Sequence, residues 1–223
     1  MQQLVENYFN LAILSRYFPE LLRGFGVTVQ VALATIVLGV GLGLALAVTR
    51  AFAIRAVNAL IVVYVDLFRT LPQLVVIICV YFALPYAGIT LSPFAATVLA
   101  LGAVLSAFAT EAFWAGILAI PRGQWDAAHS LGLRFLPIIF KVILPQAIRL
   151  AIPLLTNRAI AITKGTALGT AVSLPEVLGA AQSATAIAAN PSPLTLAAAF
   201  YLLFFIPLVI ASRRLEARYL VAR

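Results

Sequence analysis

Hydrophobic residues in this chain fall into five long runs separated by short links that are polar or rich in proline and glycine. The runs cover about residues 24–49, 56–84, 93–120, 146–170 and 194–211. A helix needs about 20 apolar residues to cross the roughly 30 Å hydrocarbon core of a bilayer, and more when it is tilted. The pattern therefore predicts an all-α membrane protein with about five transmembrane helices. Residues 1–23 mix apolar and polar positions and predict a short interfacial helix outside the membrane.

Basic residues are concentrated in alternate links. Arg50 and Arg55 lie between the first and second spans, three basic residues lie between the third and fourth, and segment 213–223 holds four arginines. The two other links, near Gly88 and Glu176, contain neither lysine nor arginine. Because basic loops favour the cytoplasmic side, the N-terminus is predicted outside and the C-terminus in the cytoplasm.

The composition excludes an ordinary soluble domain. Of the 223 residues, 64% are hydrophobic and only 10% are charged, whereas soluble domains carry roughly a quarter of charged residues. The net charge of +8 fits cytoplasmic loops better than nucleic-acid binding. Cys79 is the single cysteine, so no cysteine metal cluster is expected. No metal, cofactor or hydrolase motif is present, and the lysine at 164 lacks the glycine run of a phosphate loop.

The link between the third and fourth spans is a polar island, residues 121–145. Trp125, Ala128 and Leu131 recur at helical spacing and predict a helix with these three on its apolar side. Gly132 then suits a sharp turn at the helix C-terminus. A second short helix is predicted after the turn, and Pro145 is predicted at the start of the fourth transmembrane helix.

The spacing Asp126-Ala127-Ala128, Gly132, Val142, Leu144-Pro145 resembles the coupling loop of permease subunits of bacterial ABC importers. The consensus of that loop is E-A-A-x3-G-x9-I-x-L-P, where x is any residue and the number gives how many follow. The flanks resemble the polar amino-acid uptake branch. The resemblance implies a type I ABC importer permease (MetI-like) fold. It also implies that the loop docks on an ATPase through Arg122, Trp125, Asp126, Ala127, Ala128, Gly132, Leu144 and Pro145.

The resemblance further implies a set of partners in the bacterial inner membrane. They are a dimer of ATP-binding-cassette ATPases that binds ATP and magnesium, a second permease of like or unlike sequence, and a periplasmic solute-binding protein. The solute would be a polar amino acid or a similar molecule, moved without chemical change. Residues 1–23 would be an N-terminal segment, 24–212 the transmembrane domain with coupling loop 121–145, and 213–223 a basic cytoplasmic tail. The alternative is a stand-alone secondary carrier or channel.

Three charged residues lie inside the second and third predicted spans, where they are costly and are candidates for function. Arg69 lies about 20 Å and Glu111 about 14 Å above the cytoplasmic ends of their helices, at 1.5 Å per residue. They can nearly meet, and Asp66, three residues before Arg69, is an equally good partner for it. Two interpretations remain open: these residues pair to fix two helices together, or they contact a charged solute or coupling ion.

The fourth span carries a polar face formed by Asn157, Ala161 and Lys164, with Thr166 beside it. The resembled family often has acids where this chain has Arg158 and Gly165. The local field is thus more positive, which favours an anionic or zwitterionic solute with an exposed carboxylate. The alternative is that these polar residues make helix–helix hydrogen bonds and contact no solute.

Overall fold

The computed structural model describes residues 2–220, apart from the side chains of residues 2, 4, 5 and 218–220. The predicted tail arginines Arg218 and Arg223 thus lie outside the described side chains. All regular elements in this part of the chain are helical. The α-helices are α1 (Gln2–Tyr8), α2 (Leu11–Ala51), α3 (Arg55–Thr70), α4 (Gln73–Phe82), α5 (Pro93–Leu118), α6 (Arg122–Ser130), α7 (Phe135–Pro137), α8 (Leu144–Thr163), α9 (Val177–Ala188) and α10 (Ser192–Leu220), and a short 3-10 helix (Leu84–Ala87) follows α4.

The first span begins earlier than the hydropathy pattern predicts. Helix α2 starts at Leu11 instead of residue 24, and the Asn10 side chain caps it by accepting from the backbone N–H groups of Ala12 and Ile13. With 41 residues it is roughly 60 Å long, so it extends well beyond the hydrocarbon core. Tyr17 and Leu21 are buried against α9 and α10, and this packing stabilises an extension that membrane hydropathy does not detect.

The second span is broken, although a single helix over residues 56–84 is predicted. Helices α3 and α4 meet at an angle of 109° around Leu71 and Pro72. Leu71 is extended (φ −73°, ψ 136°) because the ring of a following proline disfavours helical backbone. Four helical segments of the described residues are long and apolar enough to cross a membrane, and there are five such spans when the bent pair is counted as one.

Helix α5 is the centre of the bundle, since α2, α3, α4 and α8 all pack on it. Its apolar residues are buried around most of its circumference. Gly39 and Gly43 of α2 face α5, where an added Cβ would lie 2.6 Å from the Leu105 Cβ and 2.4 Å from the Ala109 Cβ. Gly41 points into open space. Gly39 and Gly43 thus allow α2 and α5 to pack closely, whereas Gly41 does not contribute to this contact.

The fourth span begins at residue 135 instead of 146. A π-helical segment (Ile138–Ile143) joins α7 to α8, and a 3-10 segment (Lys164–Val172) follows α8, so residues 135–172 form one continuous helical run. Pro145 does not start a new helix. The backbone N–H of Leu144 donates to the Ile139 carbonyl, five residues back, and the Gln146 side chain donates to the Val142 carbonyl. This wider turn lets the helix pass a residue without an N–H.

Helix α9 is not predicted from the sequence, because its twelve residues are alanine-rich and too short for a span. Glu176 caps it and is fully buried. Its carboxylate also accepts hydrogen bonds from Thr28 of α2 (3.1 Å) and Tyr201 of α10 (2.6 Å). Burial raises the pKa of Glu176, and these hydrogen bonds oppose that rise. The last helix, α10, extends to Leu220, beyond the predicted end at 211.

Candidate functional site

The link between the third and fourth spans forms a helical elbow, defined here as residues 121–145. Helix α6 ends in a left-handed residue, Gly132, with φ of 76°. The N–H of Gly132 donates to the His129 carbonyl, and the N–H of Leu133 donates to the Ala128 carbonyl. This pair of bonds is a Schellman motif, which satisfies carbonyls that the helix end leaves free. The predicted glycine turn is confirmed, and it fixes the direction in which the chain leaves α6.

The inner side of the elbow packs on the bundle. Ala128 is buried and Trp125 is half-buried in an apolar cluster that includes Ile117 of α5 and Ala147 of α8. Motion of α6 therefore cannot occur without displacing the ends of two spans. Leu131 was expected on this apolar side, but it is 81% exposed, because the left-handed turn that follows directs it away from the cluster.

The outer side of the elbow is open. Arg122, Asp126 and Ala127 are exposed, as is Leu131 at its tip. Leu144 is buried in the cluster beneath them, whereas the neighbouring Pro145 is exposed. An exposed leucine beside charged side chains on a rigid turn can bind a groove in another protein.

The elbow also contacts the end of the first span, where Phe52 caps α2. The rings of Phe52 and Phe135 lie 5.4 Å apart in an edge-to-face arrangement. Two residues earlier, the Arg50 guanidinium lies over the Trp114 ring at 4.7 Å, and Trp114 packs against the same apolar cluster as Trp125. The elbow is thus connected through packed side chains to charged residues inside the membrane.

Glu111 forms an ion pair inside the bundle, but its nearer partner is Arg50 and not the predicted Arg69. Arg50 Nη1 lies 2.6 Å from Glu111 Oε1, whereas Arg69 Nη1 lies 3.8 Å from Oε2. Asp66 makes no ion pair among the described residues, so its predicted pairing with Arg69 is not found. Sequence reasoning missed Arg50 because it was assigned to a link, although its long side chain reaches back along α2 into the bundle.

Phe108 is a further residue that the sequence did not single out. Its ring lies 5.4 Å from the guanidinium carbon of Arg69 and 4.8 Å from that of Arg158. A cavity of about 440 Å³ opens beside it at the break between α3 and α4, lined by residues that include Phe68, Arg69 and Gln73. Ligand cavities in proteins typically measure roughly 300–1,000 Å³. The helix break thus places charged and aromatic groups around a space large enough for a small solute.

The predicted polar face of the fourth span divides into different environments. Asn157 donates to Glu216 of α10, and Lys164 lies 5.8 Å from the Phe205 ring of the same helix. These two contacts correspond to the helix–helix alternative. Arg158 instead points to Phe108. Thr166 is fully buried, and its hydroxyl has no hydrogen-bond partner among the described residues.

Gly165, one of the positions where the resembled family often has an acid, contacts the broken span directly. A Cβ there would lie 2.2 Å from Gln73 Oε1. Gln73 is the first residue of α4 and lines the cavity. A side chain at position 165 would therefore require the Gln73 amide to move.

Comparison with known proteins gives concordant matches. Residues 39–221 match the family described as binding-protein-dependent transport system inner membrane component. The probable glutamine ABC transporter permease protein GlnP of Bacillus subtilis (strain 168) is 36% identical over 199 residues, which cover 87% of this chain and 91% of that protein.

Solved structures match over almost the whole chain. A chain of a crystal structure titled as an amino acid ABC transporter with histidines is 27% identical, with a TM-score of 0.82 over 92% of this chain and 96% of that one. A chain of the MetNI methionine ABC transporter in an inward-facing conformation is 20% identical, with a TM-score of 0.68 over 95% and 99%. The latter supports the similarity of fold alone.

Proposed function

The chain belongs to the family of binding-protein-dependent transport system inner membrane components, and we propose that it moves an amino acid or a similar solute by alternating access, driven by a separate ATPase. It is a multi-pass permease subunit of an ABC importer in the bacterial inner membrane, with the fold of such permeases. Its relatives include a permease named for glutamine, and a structural relative is titled as an amino acid transporter.

The observation that carries the proposal is the elbow. It presents Asp126 and Leu131 to solvent while Trp125 and Ala128 are packed between the ends of α5 and α8. A partner that binds the outer side of the elbow can therefore move α5 and α8 together. We propose that this partner is a dimer of ATPases that binds ATP and magnesium, and that the elbow, like the C-terminus, lies in the cytoplasm with the N-terminus outside.

A second permease is proposed from the charges that the single chain leaves uncovered. Arg158, Lys164 and Asp66 are exposed on helices that belong to membrane spans. Charged groups in contact with lipid are costly, so these faces are expected to line a water-filled path or meet another protein. Two like or unlike permeases around one path satisfy this requirement. A periplasmic solute-binding protein would deliver the solute to the outer side.

Reconstitution tests the proposal. The full-length chain is placed in liposomes with the ATPase and the binding protein encoded beside it, and uptake of labelled amino acids is measured with and without ATP. We expect uptake to need ATP and the ATPase together. Uptake by the chain alone under a proton or sodium gradient would instead support the secondary carrier and contradict the proposal.

A further inference from the structure

Two arginines from different helices lie over one aromatic ring beside the cavity. Arg69 comes from α3, Arg158 from α8 and Phe108 from α5 between them. Cation–ring contact holds a guanidinium in place through its flat face. The N–H donors at the edge of each guanidinium stay available to bind another group.

The charges around this ring do not balance. Glu111 is the one carboxylate in the ion pairs of the described residues, and Arg50 holds it at 2.6 Å. Arg69 approaches it only to 3.8 Å, and Arg158 makes neither an ion pair nor a hydrogen bond in that part of the chain. Even when Asp66, one turn before Arg69, is counted against these three arginines, one positive charge remains uncompensated.

A carboxylate is the group that these donors fit best. A guanidinium binds a carboxylate through two parallel, charge-assisted N–H bonds. A neutral amino acid brings one carboxylate and one ammonium group and leaves the excess charge unchanged. An acidic amino acid brings a second carboxylate and neutralises it.

From this balance we propose that Arg69 and Arg158, held on Phe108, bind the side-chain carboxylate of an acidic amino acid in transit. The inference rests on the proposed function and specifies its substrate class. Arg69 and Phe108 line the cavity of about 440 Å³ that opens at the break between α3 and α4, and Arg158 contacts the Phe108 ring without lining the cavity itself. The solute would lie there, with Arg50 and Glu111 forming the adjoining ion pair.

Glutamate and glutamine are the matched probes, because they differ only by a carboxylate and an amide. Binding of each labelled probe is measured by equilibrium dialysis to the full-length permease with its ATPase in nanodiscs, without the solute-binding protein. Glutamate should bind at least about tenfold more tightly, the usual effect of hydrogen bonds to a charged group. Arg158→Gln should lose most of that preference by weakening glutamate alone, and Arg158→Lys should keep part of it.

Arg149→Gln is the matched control, since Arg149 lies on the same helix about two and a half turns away and so on the opposite face. It should leave the preference unchanged. Equal affinity for the two probes, binding of neither probe, or an equal loss of both in Arg158→Gln overturns the inference. The proposed function survives each of these results if another amino acid is taken up with ATP. The proposed function is contradicted if no amino acid is taken up with ATP.

Discussion

Replacing Gly43 by alanine tests how closely α2 and α5 pack. An added Cβ would lie 2.4 Å from the Ala109 Cβ, 2.8 Å from the Ser106 carbonyl oxygen and 3.0 Å from the Thr110 backbone nitrogen. Two of these neighbours are backbone atoms of α5, so the methyl group cannot be accommodated by turning a side chain. Overpacking of this kind costs about 1–3 kcal/mol of unfolding free energy.

Gly41→Ala is the control, because nothing lies within 4 Å of the added Cβ. Both substitutions replace glycine by alanine inside α2, and both gain the same helix propensity, roughly 0.5–1 kcal/mol. The difference between the two variants therefore isolates the collision at position 43. Gly43→Ala should be less stable than Gly41→Ala by about 1–3 kcal/mol.

The assay is reversible unfolding of the purified chain in mixed micelles by added dodecyl sulfate, followed by far-ultraviolet circular dichroism. The two variants are compared at matched lipid and detergent composition. A difference below about 0.5 kcal/mol, the usual scatter of such comparisons, would show that α2 and α5 are not packed as described.

Three further predictions concern the elbow and the ion pair between α2 and α5. Asp126→Lys should abolish ATP-driven uptake while the protein remains in the membrane fraction, and undiminished uptake would refute the role of this residue in binding an ATPase. Gly132→Ala should lower the unfolding free energy by about 1–2 kcal/mol relative to Gly123→Ala, because only Gly132 has left-handed backbone. Glu111→Gln should cost about 1.5–3 kcal/mol, because it removes the charged partner of Arg50. A double-mutant cycle of Arg50 and Glu111 with coupling below about 0.5 kcal/mol would argue against that pair.

Local features of this molecule could be predicted from the sequence, and the elbow is the clearest case. The glycine turn depends on residues within one helical turn of Gly132. The five apolar runs could be recognised because their length reflects the thickness of the bilayer. The break at Pro72 also had a local signal, since a proline inside an apolar run predicts a helix end at the preceding residue. The apolar run over residues 56–84 is nevertheless long enough for one span, so a single helix is predicted there.

The contacts that complete the site could not be predicted in this way. Arg50 and Glu111 are 61 residues apart, and their pairing depends on how α2 and α5 pack. The position of Phe108 between Arg69 and Arg158 requires three helices to come together. The start of α2 at Leu11 could likewise not be predicted from hydropathy, because its first turns are stabilised by packing against α9 and α10.

The central claim is that the elbow passes force from an ATPase to the spans, and reversible cross-linking tests it most directly. A cysteine is introduced at Leu131, which is 81% exposed, in a chain whose exposed Cys79 is replaced by serine. The complex with its ATPase, carrying a cysteine in the facing groove, is oxidised in liposomes. We expect a disulfide between the two subunits in the active complex. If an active complex forms no cross-link at any groove position, the elbow does not have this function.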